Sequence, residues 1–369
     1  MRSRITLRSF VFALATLPLS AGLSSAIAKP VVEIAFVLDT TGSMGGLIEG
    51  AKRKIWSIAT AIVDSNPDAD IRMGLIAYRD IGDEYVTKKV ELTRDIQDLY
   101  ANLLELKARG GGDWPESVNE ALDVAVNKMQ WTQGRDSTRI VFLVGDAPPH
   151  MDYAQDTKYP VTLAVAKQRD IIVNAVLAGN AQDTERVWRD IAQHGNGEFI
   201  PIPQDGGQIV TIETPFDEDI IILQREINGT VIPYGPRALQ KRTESKTQQL
   251  ASVAAVSPAR ASEMASFINK RAKVTSEAVT GDGDLVADGR NDIAKVKDED
   301  LPDNLRAMKP EARGAEIDKQ IIQRKALNEK LAALVTKRDK YVAEHRKSAP
   351  KASSFDRVVE DTLKAQIKR

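Results

Sequence analysis

The sequence predicts an α/β fold: a doubly wound, mostly parallel sheet flanked by helices, followed by an α-helical C-terminal region. Three observations predict it. Residues 31–38 (VVEIAFVL), 71–78 (IRMGLIAY) and 139–144 (RIVFLV) are near-continuous apolar runs, as strands buried on both faces should be. Stretches with apolar residues at helical spacing separate them, which is the alternation of a sheet covered by helices. Beyond about Pro233 the strand-like runs stop and charged helical text takes over.

The elements follow in order. Arg2, Arg4 and Arg8 form a positive leader, residues 10–19 a short apolar run broken at Pro18, and Ala26-Ile27-Ala28 a small-residue cleavage site. This is the pattern of a secretory signal peptide over 1–28, cut after Ala28. The run falls short of the ~20 apolar residues that span a bilayer, so no membrane span is expected after signal removal. The mature chain is expected in a bacterial periplasm or secreted. The sequence contains no cysteine, which excludes disulfides, thiolate metal sites, Cys nucleophiles and a lipid-anchored N-terminus. A net charge of −1 gives no field to draw the chain to nucleic acid or anionic lipid.

Strand 31–38 ends in Asp39-Thr40-Thr41-Gly42-Ser43-Met44-Gly45-Gly46, a polar turn before a helix carrying Ile48, Ala51, Ile55, Ile58, Ala59 and Ile62. After strand 71–78, residues 84–92 alternate and read as a hairpin partner at the sheet edge, and 96–106 as a helix. Gly110-Gly111-Gly112-Asp113-Trp114-Pro115-Glu116-Ser117 then leads into a helix over 118–129, with Pro115 suited to a first helical turn. Strand 139–144 ends at Gly145-Asp146-Ala147-Pro148-Pro149. Helix 159–168, strand 171–177, helix 187–193, strand 198–201 and helix 218–227 complete the α/β unit, which is bounded at 29–232. The remainder, 233–369, reads as helical. It comprises helix 245–271 broken at Pro258, an acidic Gly-rich linker around 280–292, a charged helix over 305–343 and a last amphipathic helix over 353–368. The stripe Ile317, Ile321, Leu327, Leu331, Leu334 and Tyr341 is too imperfect for a coiled-coil seam and suits packing within the chain.

In open α/β sheets ligands bind beyond the carboxyl ends of the strands, and all three polar turns lie on that rim. Asp39, Thr41 and Ser43 are spaced i, i+2, i+4 after a buried strand. They offer a carboxylate and two hydroxyls, hard oxygen ligands that choose Mg²⁺, Mn²⁺ or Ca²⁺ over softer-site metals. Asp146 ends another strand at the same rim, where it would bind the ion or one of its waters.

The run Asp39-Thr40-Thr41-Gly42-Ser43, the loop 110–116 and Asp146 after its strand resemble, in order, the three motifs of the metal-ion-dependent adhesion site of von Willebrand factor A (vWA) domains. The resemblance spans roughly 31–229. Asp113 stands where the family has threonine, with Ser117 as the alternative. Together with Tyr78-Arg79-Asp80, this loop resembles the variant of vWA domains associated with α-type kinases. The resemblance implies a non-enzymatic protein-binding module. Its ion, Mg²⁺ or else Mn²⁺ or Ca²⁺, is held by Asp39, Thr41, Ser43, Asp113 and Asp146. The partner protein offers an Asp or Glu carboxylate to the open coordination position, and Trp114 is a candidate anchor for it.

Two other readings stand beside this one. The run 38–43 also resembles the D-K-T-G-T of haloacid-dehalogenase phosphohydrolases, with Asp39 as nucleophile. Against it, Thr41 occupies the position of the acid–base Asp, and no carboxylate lies about four residues after Asp146. Alternatively the chain is an envelope protein that docks or oligomerises through its helical C-terminal region. His150, His194 and His345 are the only histidines, and neither a G-x-S-x-G elbow nor an H-E-x-x-H helix accompanies them.

Overall fold

Nine residues, Val31–Asp39, form β1 at the centre of the sheet. Ile34, Phe36 and Leu38 face one hydrophobic cluster while Ala35 and Val37 face another. Side chains of a strand alternate between faces, so a strand buried on both sides is apolar at nearly every position; buried Glu33 is an exception, and accepts hydrogen bonds from the Thr132 amide and hydroxyl. The computed structural model describes residues 29–134, 137–207, 211–289, 295–346 and 355–367. The expected signal peptide lies outside them, as do residues 290–294 at the end of the acidic linker.

The order of elements is β1, a 3₁₀ turn at Gly42–Met44, α1 (Gly45–Ser65), β2 (Asp70–Tyr78), β3 (Thr87–Thr93), α2 (Ile96–Glu105) and α3 (Val118–Asp123). Then come β4 (Ser137–Gly145), α4 (Tyr159–Gln168), β5 (Ile171–Ala178), α5 (Gln182–His194), β6 (Asn196–Ile202) and α6 (Asp217–Asn228). The C-terminal region contains α7 (Arg237–Val256), α8 (Pro258–Thr275), α9 (Leu285–Asp288), α10 (Asp303–Arg306), α11 (Pro310–Arg346) and α12 (Phe355–Gln366). The strands form one sheet in the order β3-β2-β1-β4-β5-β6. All neighbours are parallel except the edge strand β3, which pairs antiparallel with β2. The expected α/β class, the edge hairpin and the helical C-terminal region are all present. The order reverses between β1 and β4, so the crevice at their carboxyl ends is the topological switch point, where ligands of such sheets bind.

Two elements differ from the sequence expectation and a third matches it. The helix expected over 118–129 is α3 followed by a π-helical turn at Val124–Lys128, where the Trp131 indole N–H donates to the Ala125 carbonyl at 2.8 Å. Residues 245–271 belong to two helices that part at Pro258, as expected. Ser257 caps the second through a hydrogen bond from the Arg260 amide, with Pro258 at its first position, where its missing N–H costs nothing. The charged helix begins only at Pro310 and is preceded by the short turn α10.

The helical region shares its core with the sheet domain. One cluster joins Ile34 and Phe36 of β1, Ile58 and Ile62 of α1, Met264 and Phe267 of α8, Leu327 and Leu331 of α11, and Leu363 of α12. Trp56 of α1 is fully buried between the rings of Tyr100 and Phe267, at centroid distances of 5.4 and 5.6 Å. Two buried ion pairs fix α11. Arg338 meets Asp217 in the first turn of α6 at 3.0 Å, and Arg324 meets Asp284 at 2.6 Å.

Candidate metal centre

Asp39 ends β1 directly opposite Tyr78, the last residue of β2. Its side chain is fully buried. Oδ1 accepts from the Thr41 amide at 2.8 Å and the Thr41 hydroxyl at 2.7 Å. The Thr41 and Ser43 hydroxyl oxygens lie 3.4 Å apart. A turn of this kind, with short side chains returning to the backbone, is what Asp, Thr and Ser favour. It brings three of the expected ligands to one place.

A second loop is laced onto this turn. The Gly42 amide donates to the Gly110 carbonyl at 3.1 Å and the Arg109 amide to the Thr40 carbonyl at 3.0 Å. Gly111 adopts φ +79°, and a Cβ placed on it would lie 3.0 Å from Glu116 Oε1 and 3.1 Å from Thr41 Cβ. The bare face of Gly111 therefore lets Glu116 close in beside Thr41. Glu116 is held there by its own backbone. Its amide donates to Pro148 at 2.9 Å, and its carbonyl accepts from the His150 amide at 3.1 Å.

Across the switch point, β4 ends in Gly145-Asp146. A Cβ on Gly145 would collide with the Tyr78 hydroxyl and would lie 3.3 Å from Asp39 Oδ2, so the strand ends approach closely only because this residue is glycine. The Asp146 carbonyl accepts from Thr184 at 3.0 Å, and its Oδ2 accepts from the Gln204 amide group at 2.5 Å.

The electrostatics are those of crowded buried acid. Burial, with Asp146 and Asp83 adding repulsion against the Thr41 hydrogen bonds, pushes Asp39 up to about 7. Burial and the carboxylates of Asp39, Asp80, Asp83 and Asp146 push Glu116 up to about 9. Burial raises the Tyr78 phenol as well. Asp39 Oδ2 and Glu116 Oε2 are both buried without a hydrogen-bond partner. Buried polar atoms are rarely left so, and a hard divalent cation among carboxylate and hydroxyl oxygens would satisfy both. The donor set fits such an ion.

The remaining expected residues sit elsewhere on the rim. Asp113 is largely exposed, and its Oδ2 lies 3.5 Å from His150 Nε2 rather than in hydrogen-bond contact with Asp39, Thr41 or Ser43. Trp114 is 47% exposed, and its indole N–H donates to Asp183 at 2.7 Å. Ser117 is buried and donates to Asp80 at 2.7 Å. The sequence reading missed Glu116 as a site residue, although it stands in the loop motif itself.

The family model for the von Willebrand factor A domain matches residues 33–213. Residues 33–213 form a vWA domain. Domains of this family are generally protein-interaction modules and commonly bind a divalent metal. Over 126 residues the chain is 35% identical to a putative ariadne-like RING finger protein of Acanthamoeba polyphaga mimivirus, covering 33% of this chain and 12% of that one. It is 32% identical over 126 residues to the alpha-protein kinase vwkA of Dictyostelium discoideum, covering 33% and 19%. It is 36% identical over 100 residues to von Willebrand factor A domain-containing protein 7 of Rattus norvegicus, covering 26% and 10%. In each case the match spans less than a fifth of the relative. Among solved structures, the VWA domain of SpRpn10 aligns with a TM-score of 0.36 at 14% identity, covering 48% of this chain and 89% of that one.

Proposed function

We propose that the vWA domain binds a protein partner through a divalent cation and carries out no chemistry of its own. The observation that carries this reading is the pair of buried, unpartnered carboxylate oxygens, Asp39 Oδ2 and Glu116 Oε2. Both belong to acids raised by burial in one shared acidic pocket. Asp39, Thr41 and Ser43 would hold the ion, with Glu116 and Asp146 joining directly or through water. An all-oxygen set favours Mg²⁺, with Mn²⁺ and Ca²⁺ as substitutes. The bound ion would supply an electrophilic position for an Asp or Glu carboxylate of the partner. Trp114, exposed on the same loop, would give that partner an aromatic surface, a residue type enriched where interfaces concentrate their energy. The leader-like sequence of residues 1–28 supports a location outside the cytoplasm, which cell fractionation tests.

Calorimetric titration of the chelator-treated protein with Mg²⁺ is the direct experiment. Uptake of one ion by the natural protein and none by Asp39→Ala is expected, and capture of a partner should vanish both with EDTA and in that variant. Binding of a partner that ignores both treatments would defeat the proposal.

A further inference from the structure

We propose that Asp80, Asp113 and His150 form a second cation site, selective for zinc, which shares no ligand with the first. The three residues bring one ligand atom each to within 4.8 Å of one another. His150 carries the argument. It is 5% exposed, its ring stacks on Tyr153 at 3.9 Å and 8°, and its Nε2 is buried without a hydrogen-bond partner. That nitrogen points at Asp80 Oδ2 and Asp113 Oδ2, 3.5 Å from each.

The surroundings are those of a metal ligand. His150 Nδ1 lies 2.8 Å from Asp152 Oδ1. A carboxylate there accepts a hydrogen bond from Nδ1–H and leaves the Nε2 lone pair free, the outer arrangement that orients most zinc-bound histidines. Asp80 is similarly fixed. Ser117 donates to its Oδ1 at 2.7 Å and the Tyr153 hydroxyl to its Oδ2 at 2.8 Å. Tetrahedral zinc with bonds of ~2.0–2.2 Å sets its ligand atoms roughly 3.3–3.6 Å apart, which is the separation His150 keeps from both carboxylates. One imidazole and two carboxylates suit zinc, whereas the oxygen-only set around Asp39 suits magnesium. The exposure of Asp113 leaves water access on one side, so the ion would keep an open position.

The test is zinc titration of the full chain, stripped with chelator and then held in excess Mg²⁺ to saturate the first site. The natural protein should take up one Zn²⁺ per chain. Affinity should fall at least 100-fold in His150→Gln and in Asp113→Asn, fall about 10-fold in Asp152→Asn, as loss of an outer partner does, and persist in Asp39→Asn. Asp113 is exposed, so its variant reports even if substitution at His150 disturbs folding. The proposal is overturned by absence of zinc uptake, by uptake unchanged in both His150→Gln and Asp113→Asn, or by uptake lost in Asp39→Asn alone. The first or second result would leave His150 and the three aspartates around it as a structural cluster only.

Discussion

The Thr41 amide and hydroxyl both bind the same oxygen of Asp39, at 2.8 and 2.7 Å, and leave the other oxygen buried and bare. The carboxylate is thus half satisfied. Asp39 and Glu116 both hold their protons more tightly when folded than when unfolded. Their stabilising contribution is therefore complete below the ordinary carboxylate range. It is lost as pH rises through about 7 for Asp39 and about 9 for Glu116. The melting temperature of the chelator-treated protein should fall between pH 5 and pH 8, and Asp39→Asn should flatten that fall by several degrees, at ~2–4 °C per kcal/mol. Magnesium acts with the opposite sign. Its binding expels the protons, so its affinity should rise over the same interval. A chelated protein that grows more stable toward pH 8 would contradict this account.

Gly145 tests how tightly the two central strands must approach. Gly145→Ala pushes a methyl group against the Tyr78 hydroxyl and toward Asp39 Oδ2, an overpacking that costs typically ~1–3 kcal/mol. Both urea stability and magnesium affinity should drop. Adding Tyr78→Phe to that variant removes the atom struck first and should recover part of the stability, whereas Tyr78→Phe alone should change little.

The ion pair between Arg324 and Asp284 is almost wholly buried, and the Arg324 Nε also donates to Thr230 at 2.7 Å. Arg324→Ala would strand a buried carboxylate, at a cost of ~3–5 kcal/mol. Replacing both partners by apolar residues of similar volume should return most of that loss. Equal destabilisation by the single and double variants would show that the charge pair is not the issue.

A chain ending at residue 232 keeps every strand yet lacks α8, α11 and α12, which complete the cluster around α1. Trp56 would lose Phe267, and Ile58 and Ile62 would lose the apolar helices now in their cluster. At ~1.5–3 kcal/mol per large apolar side chain returned to water, the shortened chain should aggregate or melt tens of degrees lower. A soluble, cooperatively melting 29–232 fragment would refute this.

The strands were legible because burial on both faces writes itself into nearly every residue of 31–38 and 139–144, Glu33 and Arg139 apart. The turn from Asp39 to Ser43 was legible because local spacing alone gathers its oxygens. Glu116 was not, since its inward position depends on hydrogen bonds to Pro148 and His150, more than thirty residues along the chain. His150 is fixed by a stacking tyrosine and three aspartates from three different stretches, a grouping that no spacing rule encodes. The helices after residue 233 were recognisable as helices, but amphipathic periodicity says only that a face is buried. It does not say that the covering surface is α1.

That covering surface has a mechanical consequence. Helix α1 begins immediately after Ser43 and Met44, and helices α8 and α12 pack onto it, so it is sealed between them and the sheet. It cannot slide or tilt without opening a cavity on one flank or the other. Occupancy at the rim should therefore leave its axis in place, with backbone shifts of about 1 Å or less. A visiting protein would then meet a receptor already in its final shape, and recognition speed would be governed by encounter rather than by rearrangement.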